Sequence, residues 1–223
     1  MNHSNLGHLR ERLQANIKVF DKFHHRYDRW FIKNKWIYRS EIEAIRKFIP
    51  DNGLGLEVGV GSGRFSSPLK VQLGLDPSKK MGLLAKKRGI KVVCGIGENL
   101  PFKNEEFDFV LNIATMCFVS DPFLTIKESR RVLKNCGLLI IGFVDKNSWL
   151  GKSYENIKEN VFYKHANFYF VDDVRRWLEL LTFTDFSIYQ TIFHNLDEIE
   201  SLEPIKEGYG EGGFVIFKAK KTK

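Results

Sequence analysis

The sequence has few of the residues that staple, break or anchor a chain: 223 residues include three cysteines, six prolines and three methionines. Cys94, Cys117 and Cys136 stand 23 and 19 residues apart. With no C-x-x-C pair and no neighbouring histidine they cannot frame a disulfide scaffold or a structural zinc site, so no metal is expected and the thiols read as reduced and buried. Long apolar runs are missing too. The nearest to one, Phe107 to Val119, is broken by Asp108 and Asn112 and falls short of the roughly 20 residues that span a bilayer, so no contact with a membrane is expected. Residues 1–20 carry Arg10, Glu11, Arg12 and Lys18 with no apolar block, which is not the pattern of a secretory leader, and the cytoplasm is the expected location. Acid is in the minority, 27 Asp and Glu against 35 Lys and Arg, a net +8. Residues 1–50 hold eleven basic and five acidic side chains, 11 − 5 = +6, which leaves only +2 for the other 173 residues.

What is present is enough apolar material, 43% of residues with 13% aromatic, to bury one large core. Leu13, Ile17, Phe20, Tyr27 and Phe31 recur at helical spacing, with Phe23 and Trp30 on the flanks of the same stripe, and predict an amphipathic helix. A second helix is expected over Tyr38 to Phe48, with Ser40 as its cap and Pro50, Asp51, Asn52 and Gly53 as its stop. Beyond residue 50 the period changes. Short apolar runs at 54–58, 71–75, 91–94, 107–113 and 138–144 alternate in their later part with helical stretches at 78–88 and 122–133, the pattern of a parallel sheet covered by helices on both faces. A further helix is expected over Val171 to Leu181. Strands at 186–193 and 214–218 should pair antiparallel at one edge, joined by the exposed loop Glu198 to Gly213. The basic end Lys218 to Lys223 reads as a frayed tail.

The most informative local feature is Gly59-Val60-Gly61-Ser62-Gly63 directly after a strand, where glycines let the backbone turn tightly and approach a ligand. Dinucleotides and S-adenosylmethionine both use such a turn. The dinucleotide fingerprint needs a third glycine where Arg64 stands and a well-formed helix behind it. Here Pro68 and the strand opening at Val71 leave room for one or two helical turns, a poor phosphate cradle. Asp76 ends the second strand, where an acid either accepts from the ribose hydroxyls of an adenosine or caps the helix after it. Gly95 to Phe102 and Asn112 to Thr115 follow the third and fourth strands, at the strand ends where ligands of open α/β sheets bind.

As an ordered set, these segments resemble the class I S-adenosylmethionine-dependent methyltransferases, in the group typified by the ubiquinone and menaquinone biosynthesis C-methyltransferases (methyltransferase type 11). The resemblance covers residues 51–145. It rests on Leu56-Glu57-Val58-Gly59-Val60-Gly61-Ser62-Gly63, Asp76-Pro77-Ser78, Gly97-Glu98-Asn99-Leu100-Pro101-Phe102, Phe107-Asp108-Phe109-Val110, Asp121-Pro122 and the turn Leu133 to Leu138. It implies a doubly wound, mostly parallel, seven-stranded Rossmann-like α/β sheet with the last strand antiparallel. It also divides the chain into an N-terminal helical lid, 1–50, and a cofactor-binding domain, 51–223. By the same resemblance Glu57 would face the methionine amine, Gly59 and Gly61 would pass the methionyl and ribose groups, and Asp76 would hold the ribose. Pro77 would lie on the adenine, Gly97 and Glu98 at its other edge, and Asn112 near the sulfonium; Asp108 is assigned to structure. The family's usual acid for the adenine amino group is replaced by Ile96, which leaves that task to backbone or Glu98. The short crossover after Gly63 should open one side of the pocket.

Methyl transfer from a sulfonium is an in-line displacement that needs alignment in a dry pocket more than a universal catalytic side chain. No base pair of residues stands out, and His24 and His25 read as exposed on the first helix. The segment Phe20-Asp21 with Tyr27-Asp28-Arg29-Trp30 resembles the family's lid, and Tyr27, Trp30 and Tyr38 are candidates to line the substrate site by cation–π attraction. Cys117 is expected in the pocket wall, and Tyr209, in its glycine-rich loop, is a further candidate. A small-molecule acceptor is the first expectation, because the Pro-Cys and Asn-Pro-Pro-Tyr motifs of nucleic-acid methyltransferases are absent. The basic N-terminus keeps RNA, or a non-catalytic adaptor role, as the alternative, and a nicotinamide-dependent oxidoreductase rests on the glycine turn alone.

Overall fold

The computed structural model describes residues 3–157 and 160–222, with side chains from residue 11 onward. In chain order its elements are α1 (His3–Lys33), α2 (Lys35–Arg46), β1 (Gly55–Val58), β2 (Leu73–Asp76), α3 (Lys79–Lys87), β3 (Lys91–Cys94) and β4 (Phe107–Ile113). They continue with α4 (Pro122–Val132), β5 (Leu133–Val144), α5 (Trp149–Asn156), α6 (Val171–Leu180), β6 (Phe183–Thr191), β7 (Lys206–Glu207) and β8 (Phe214–Lys221). The strands form one sheet in the order β3-β2-β1-β4-β5-β8-β6-β7. Strands β1 to β5 pair parallel, and β8 runs antiparallel to both β5 and β6. The expected doubly wound sheet with an antiparallel last strand is therefore present. Its count is eight rather than seven, because the two-residue β7 pairs with β6.

Period-two alternation divides the core into two layers, since successive strand side chains point to opposite faces. Leu56, Val58, Val110 and Val215 pack on one face with Ile126 of α4 and Leu178 of α6. Phe109, Leu111 and Ile216 pack on the other with Ile37, Ala44 and Ile45 of α2. Strand β1 is buried at every position, as parallel strands covered on both faces are. Since α2 shares this core, the turn at residue 50 separates segments of the chain rather than separate cores.

Several expectations change. Ser40 lies inside α2, and its hydroxyl donates to the Trp36 carbonyl, 2.7 Å, instead of capping. The helix α5, opened by a Ser148 hydroxyl that accepts from Gly151 N at 3.0 Å, has no counterpart among the expected helices. The basic end is no frayed tail as far as Thr222: β8 runs to Lys221, which is buried, donates to the Leu133 carbonyl at 2.6 Å and pairs with Glu105; Lys223 lies outside the described residues. Cys94 and Cys136 are exposed, and only Cys117 is partly enclosed, though all three are unpaired. Among the described residues no helix is long and apolar enough to cross a membrane.

The loop after Gly63 makes one or two irregular turns, with Ser67 N bonded to Gly63 O at 3.1 Å and Leu69 N to Phe65 O at 3.3 Å. The short crossover foreseen there is what the chain builds.

Candidate active site

The carboxyl ends of β1, β2 and β4 and the turn after β3 surround a cavity of about 830 Å³, its open mouth included. At its floor Gly59 N and Val60 N both donate to the Leu75 carbonyl, at 2.8 and 3.0 Å, so the glycine turn is sewn to the end of β2. Gly59 has φ +74°, and a Cβ there would collide with the Thr115 side chain. Asp76 is buried: Oδ2 accepts from Gly61 N and Oδ1 from Ser78 N, both 2.8 Å. Ser78, not Asp76, caps α3 with its side chain, accepting from Met81 N. Burial drives the Asp76 carboxyl up to about 6 against those two hydrogen bonds.

Helix α1 closes the cavity. Its first half presents Leu13, Asn16, Ile17 and Phe20 to the space, and the helix kinks at Phe23, where φ is −112° and ψ 20°. The apolar stripe seen in the sequence is thus the cavity roof, and polar residues latch it. Arg12 donates to the Cys117 carbonyl at 2.9 Å and to that of His165 at 3.1 Å, and Asn16 Nδ2 to that of Phe118 at 2.8 Å. Asp21 accepts from the Ser78 hydroxyl at 2.6 Å and from Lys80 N at 3.1 Å, placing an acid at the N-terminus of α3, where the helix dipole favours it. Asp28 takes Arg64 on both oxygens and Arg88 on one, each at 2.9 Å. Burial alone would raise its carboxyl, but these guanidinium bonds hold it at about 2. Replacing Asp28 by alanine should loosen the docking of α1 by ~1 to 2 kcal/mol, a charge-assisted bond discounted for partial solvent screening. Hydrogen exchange should rise in α1 while the sheet stays protected, and unchanged exchange would refute the latch.

Of the residues singled out from sequence, Gly59, Gly61, Asp76, Pro77, Gly97, Glu98 and Tyr27 line this cavity. Glu98 Oε1 accepts from Ser120 N at 2.6 Å and Asp121 N at 3.1 Å, which fixes the start of α4. Its Oε2 is buried with no partner among the described residues, the kind of orphaned acceptor that a ligand satisfies. Glu57 sits behind the glycine turn, on the α2 side, where its carboxylate accepts from the Ser66 hydroxyl. Asn112 faces the opposite layer, buried, with neither amide atom partnered among the described residues. Neither lines the cavity.

A second space of about 520 Å³ adjoins the first, sharing Tyr27, Ala114 and Phe118 with it. Cys117 lies in its wall. Trp30, Tyr38 and Tyr209 line neither cavity: Trp30 packs edge-on against Phe31, the Tyr38 hydroxyl donates to the Arg64 carbonyl, and Tyr209 is exposed and donates to Asp172 at 3.1 Å. His24 is half-buried and His25 exposed. The roof residues Leu13, Asn16 and Ile17 and the floor residue Thr115 are not among the expected site residues, although the helical stripe already contains Leu13 and Ile17. Among the described residues no group of three His, Cys, Asp or Glu is placed to hold a metal ion.

Glu41 and Glu57 are both buried, and desolvation pushes each up to about 8. In the unfolded chain such carboxyls ionise near 4.5, so between pH 4.5 and 8 the folded form binds more protons. The resulting stability is complete below 4.5 and is lost as pH rises through about 8. The melting temperature should therefore fall from about pH 5 to about pH 9, and Glu41→Gln should flatten the slope; a flat wild-type profile would contradict it.

A glycine turn bound to an acid at the end of the next strand, under a helical roof and on a sheet of this order, defines a Rossmann-like α/β methyltransferase. Similarity to known proteins leads to the same class. A methyltransferase domain family of type 11 matches residues 56–141. A solved structure from Thermotoga maritima, described as an SAM-dependent methyltransferase and "possible histamine N-methyltransferase", superposes with a TM-score of 0.90 at 44% identity, covering 93% of this chain and all of that one. An uncharacterized protein of Methanocaldococcus jannaschii is 49% identical over 206 residues, 92% of this chain and 100% of its own length. The demethylmenaquinone methyltransferase of Thermotoga maritima is 31% identical over 137 residues, 56% of this chain and 59% of that protein. The chain belongs to the S-adenosylmethionine-dependent methyltransferases; it is an enzyme whose cofactor is S-adenosylmethionine.

Proposed function

We propose that the enzyme methylates a small-molecule acceptor, with the cofactor in the first cavity and the acceptor in the second. The observation that carries this reading is the pair of adjoining spaces under α1, divided by Tyr27, Ala114 and Phe118. The relatives' descriptions, a possible histamine N-methyltransferase and a demethylmenaquinone methyltransferase, also name small acceptors. When bound, the cofactor supplies a methyl group made electrophilic by the sulfonium. Asp76 would accept from the ribose hydroxyls through the lone pairs that Gly61 and Ser78 leave free, and Gly59 and Gly61 would let the backbone approach the methionyl and ribose groups. Pro77 and Ile96 would offer apolar surface to the adenine, Gly97 would lie at its edge, and Glu98 Oε2 would receive its amino group in place of the acid missing at Ile96. Glu57 and Asn112 would act from behind the wall, as supports of the turn and of the strand end. Leu13, Ile17 and Phe20 on α1, the lid over the cavity, exclude water from the site below, so that alignment rather than a side-chain nucleophile lowers the barrier.

Calorimetric titration with S-adenosylhomocysteine, with NADH as control, tests the cofactor site. Transfer of a labelled methyl to a small-molecule fraction rather than to RNA then tests the acceptor class. Labelled RNA, with salt-sensitive binding, would reverse the proposal in favour of a nucleic-acid acceptor.

A further inference from the structure

Helix α1 has two faces. Leu13, Ile17, Phe20, Tyr27 and Phe31 line the cavity. Lys18, Lys22, Arg26, Arg29 and Lys33 are exposed, at spacings of four, four, three and four residues. Side chains at that spacing share a helix face, so the five cations form one row on the outside of the roof. At 1.5 Å per residue the row is roughly 22 Å long. The acids of the same stretch are turned away from it: Asp21 is bonded to Ser78 and Lys80, and Asp28 to Arg64 and Arg88. Among the described residues none of the five cations is ion-paired. Lys79 and Lys80, also exposed, adjoin the row where Asp21 meets α3. The charge of the chain is divided accordingly. Residues 1–95 hold nineteen basic and eight acidic side chains, 19 − 8 = +11, and residues 96–223 hold sixteen and nineteen, 16 − 19 = −3.

Such a row is complementary to a polyanion, either a lipid surface or a nucleic acid. Binding in a lipid interface buries apolar side chains beside the cations. Among the described residues Ile32 is the one large apolar side chain exposed on α1, because the apolar stripe lies on the roof side. A single-stranded nucleic acid needs only the row and rings for its bases. Exposed His25 lies within the row, and just beyond it comes half-buried Trp36, with Lys35 Nζ 5.0 Å and the Arg39 guanidinium 5.3 Å from its ring. The row matches the length of about six nucleotides of a stacked strand at ~3.4 Å each.

We propose that the outer face of α1 binds single-stranded nucleic acid through its phosphates, apart from the two cavities. The strand lies along Lys18 to Lys33 with bases at His25 and Trp36. It is held and not methylated, because the roof separates it from the cofactor cavity. The row would bind a strand whether or not a methyl group is transferred.

Fluorescence titration of the whole protein with a labelled uridine oligonucleotide of about 12 nucleotides is the test. Five phosphate contacts on a single strand imply a slope of about −3.5 in log K against log salt, so affinity should fall about a hundredfold between ~50 and ~200 mM salt. Lys22→Gln combined with Lys33→Gln should reduce that fall to about twentyfold. Lys103→Gln combined with Lys127→Gln, the same change in net charge at exposed positions elsewhere, should leave it as in wild type. Both double variants should melt as wild type does. A thymidine oligodeoxynucleotide separates the two sources of phosphate: equal binding assigns the phosphates alone and tighter uridine binding adds the 2′-hydroxyl, and either supports the row. No binding at the lower salt, an equal loss in the Lys103 and Lys127 variant, preference for a duplex or for phosphatidylserine vesicles, or methyl label on the oligonucleotide would overturn the proposal.

Discussion

Asp76→Ala is expected to weaken S-adenosylhomocysteine binding by ~1 to 3 kcal/mol, the range for losing a hydrogen bond to a charged, buried partner. The carboxylate stands between the glycine turn and the start of α3, accepting from Gly61 N and Ser78 N. Each oxygen keeps a second lone pair, and those face a cavity into which a ribose would present two hydroxyls. Truncation removes both the ligand contacts and the acceptors for two backbone donors, so the variant should also melt earlier than wild type. Asp76→Asn, which retains one oxygen, should fall between the two. The carboxyl is raised to about 6; its ionised form is the better acceptor for hydroxyls, so affinity should decline as pH drops through about 6. A folded Asp76→Ala protein with wild-type affinity at about pH 7.5, where the carboxylate of the parent is ionised, would remove Asp76 from the ribose site.

Gly59→Val should be the most damaging single change to the fold near the site, at ~3 to 5 kcal/mol, because a β-branched residue is forced to a positive φ and its Cβ is driven into Thr115. The neighbours cannot easily yield. Gly59 N is bonded to Leu75 O, and the Thr115 hydroxyl is itself bonded, at 3.0 Å, to the Ile113 carbonyl. Chemical denaturation should show a lower midpoint with an unchanged slope, and the protein that remains folded should bind S-adenosylhomocysteine poorly. Thr115→Gly in the same chain relieves the overlap but not the backbone strain, and should recover only part of the loss. A Gly59→Val protein as stable as wild type would mean that the turn has room that its geometry does not show.

These two residues are legible in the sequence because their signals are local. A glycine cluster at a strand end and an acid at the next strand end are separated by one short crossover, and both land on the same rim of the sheet. The strands at 91–94 and 107–113 are readable for the same reason, as short local apolar runs, the first closed by Gly95, and the structure begins and ends them at those residues. Glu57 and Asn112 show where this kind of reading stops. Each is given a site role by the resemblance, but alternation turns Glu57 toward α2 and Asn112 toward the opposite layer, and the layer that a strand position meets depends on helices far away in sequence. Trp30, Tyr38 and Tyr209 carry the right chemistry and point elsewhere. Lys221 looks like part of a solvated tail because a run of lysines carries no sign of the strand partner that buries it.

The sequence by itself determined the order of helices and strands apart from α5 and β7, the parallel sheet, the glycine turn with its acid and the apolar stripe of α1, because periodicity and turn chemistry act over a few residues. Only the tertiary structure decided that this stripe is the roof of a cavity, held by Arg12 to Cys117 across 105 positions and by Asp28 to Arg64 and Arg88 across 36 and 60. It also assembled the aromatic chamber from α1, β5, α5 and the segment before α6. Those contacts arise where distant segments are folded onto one rim, and no local preference of any one segment encodes its neighbours.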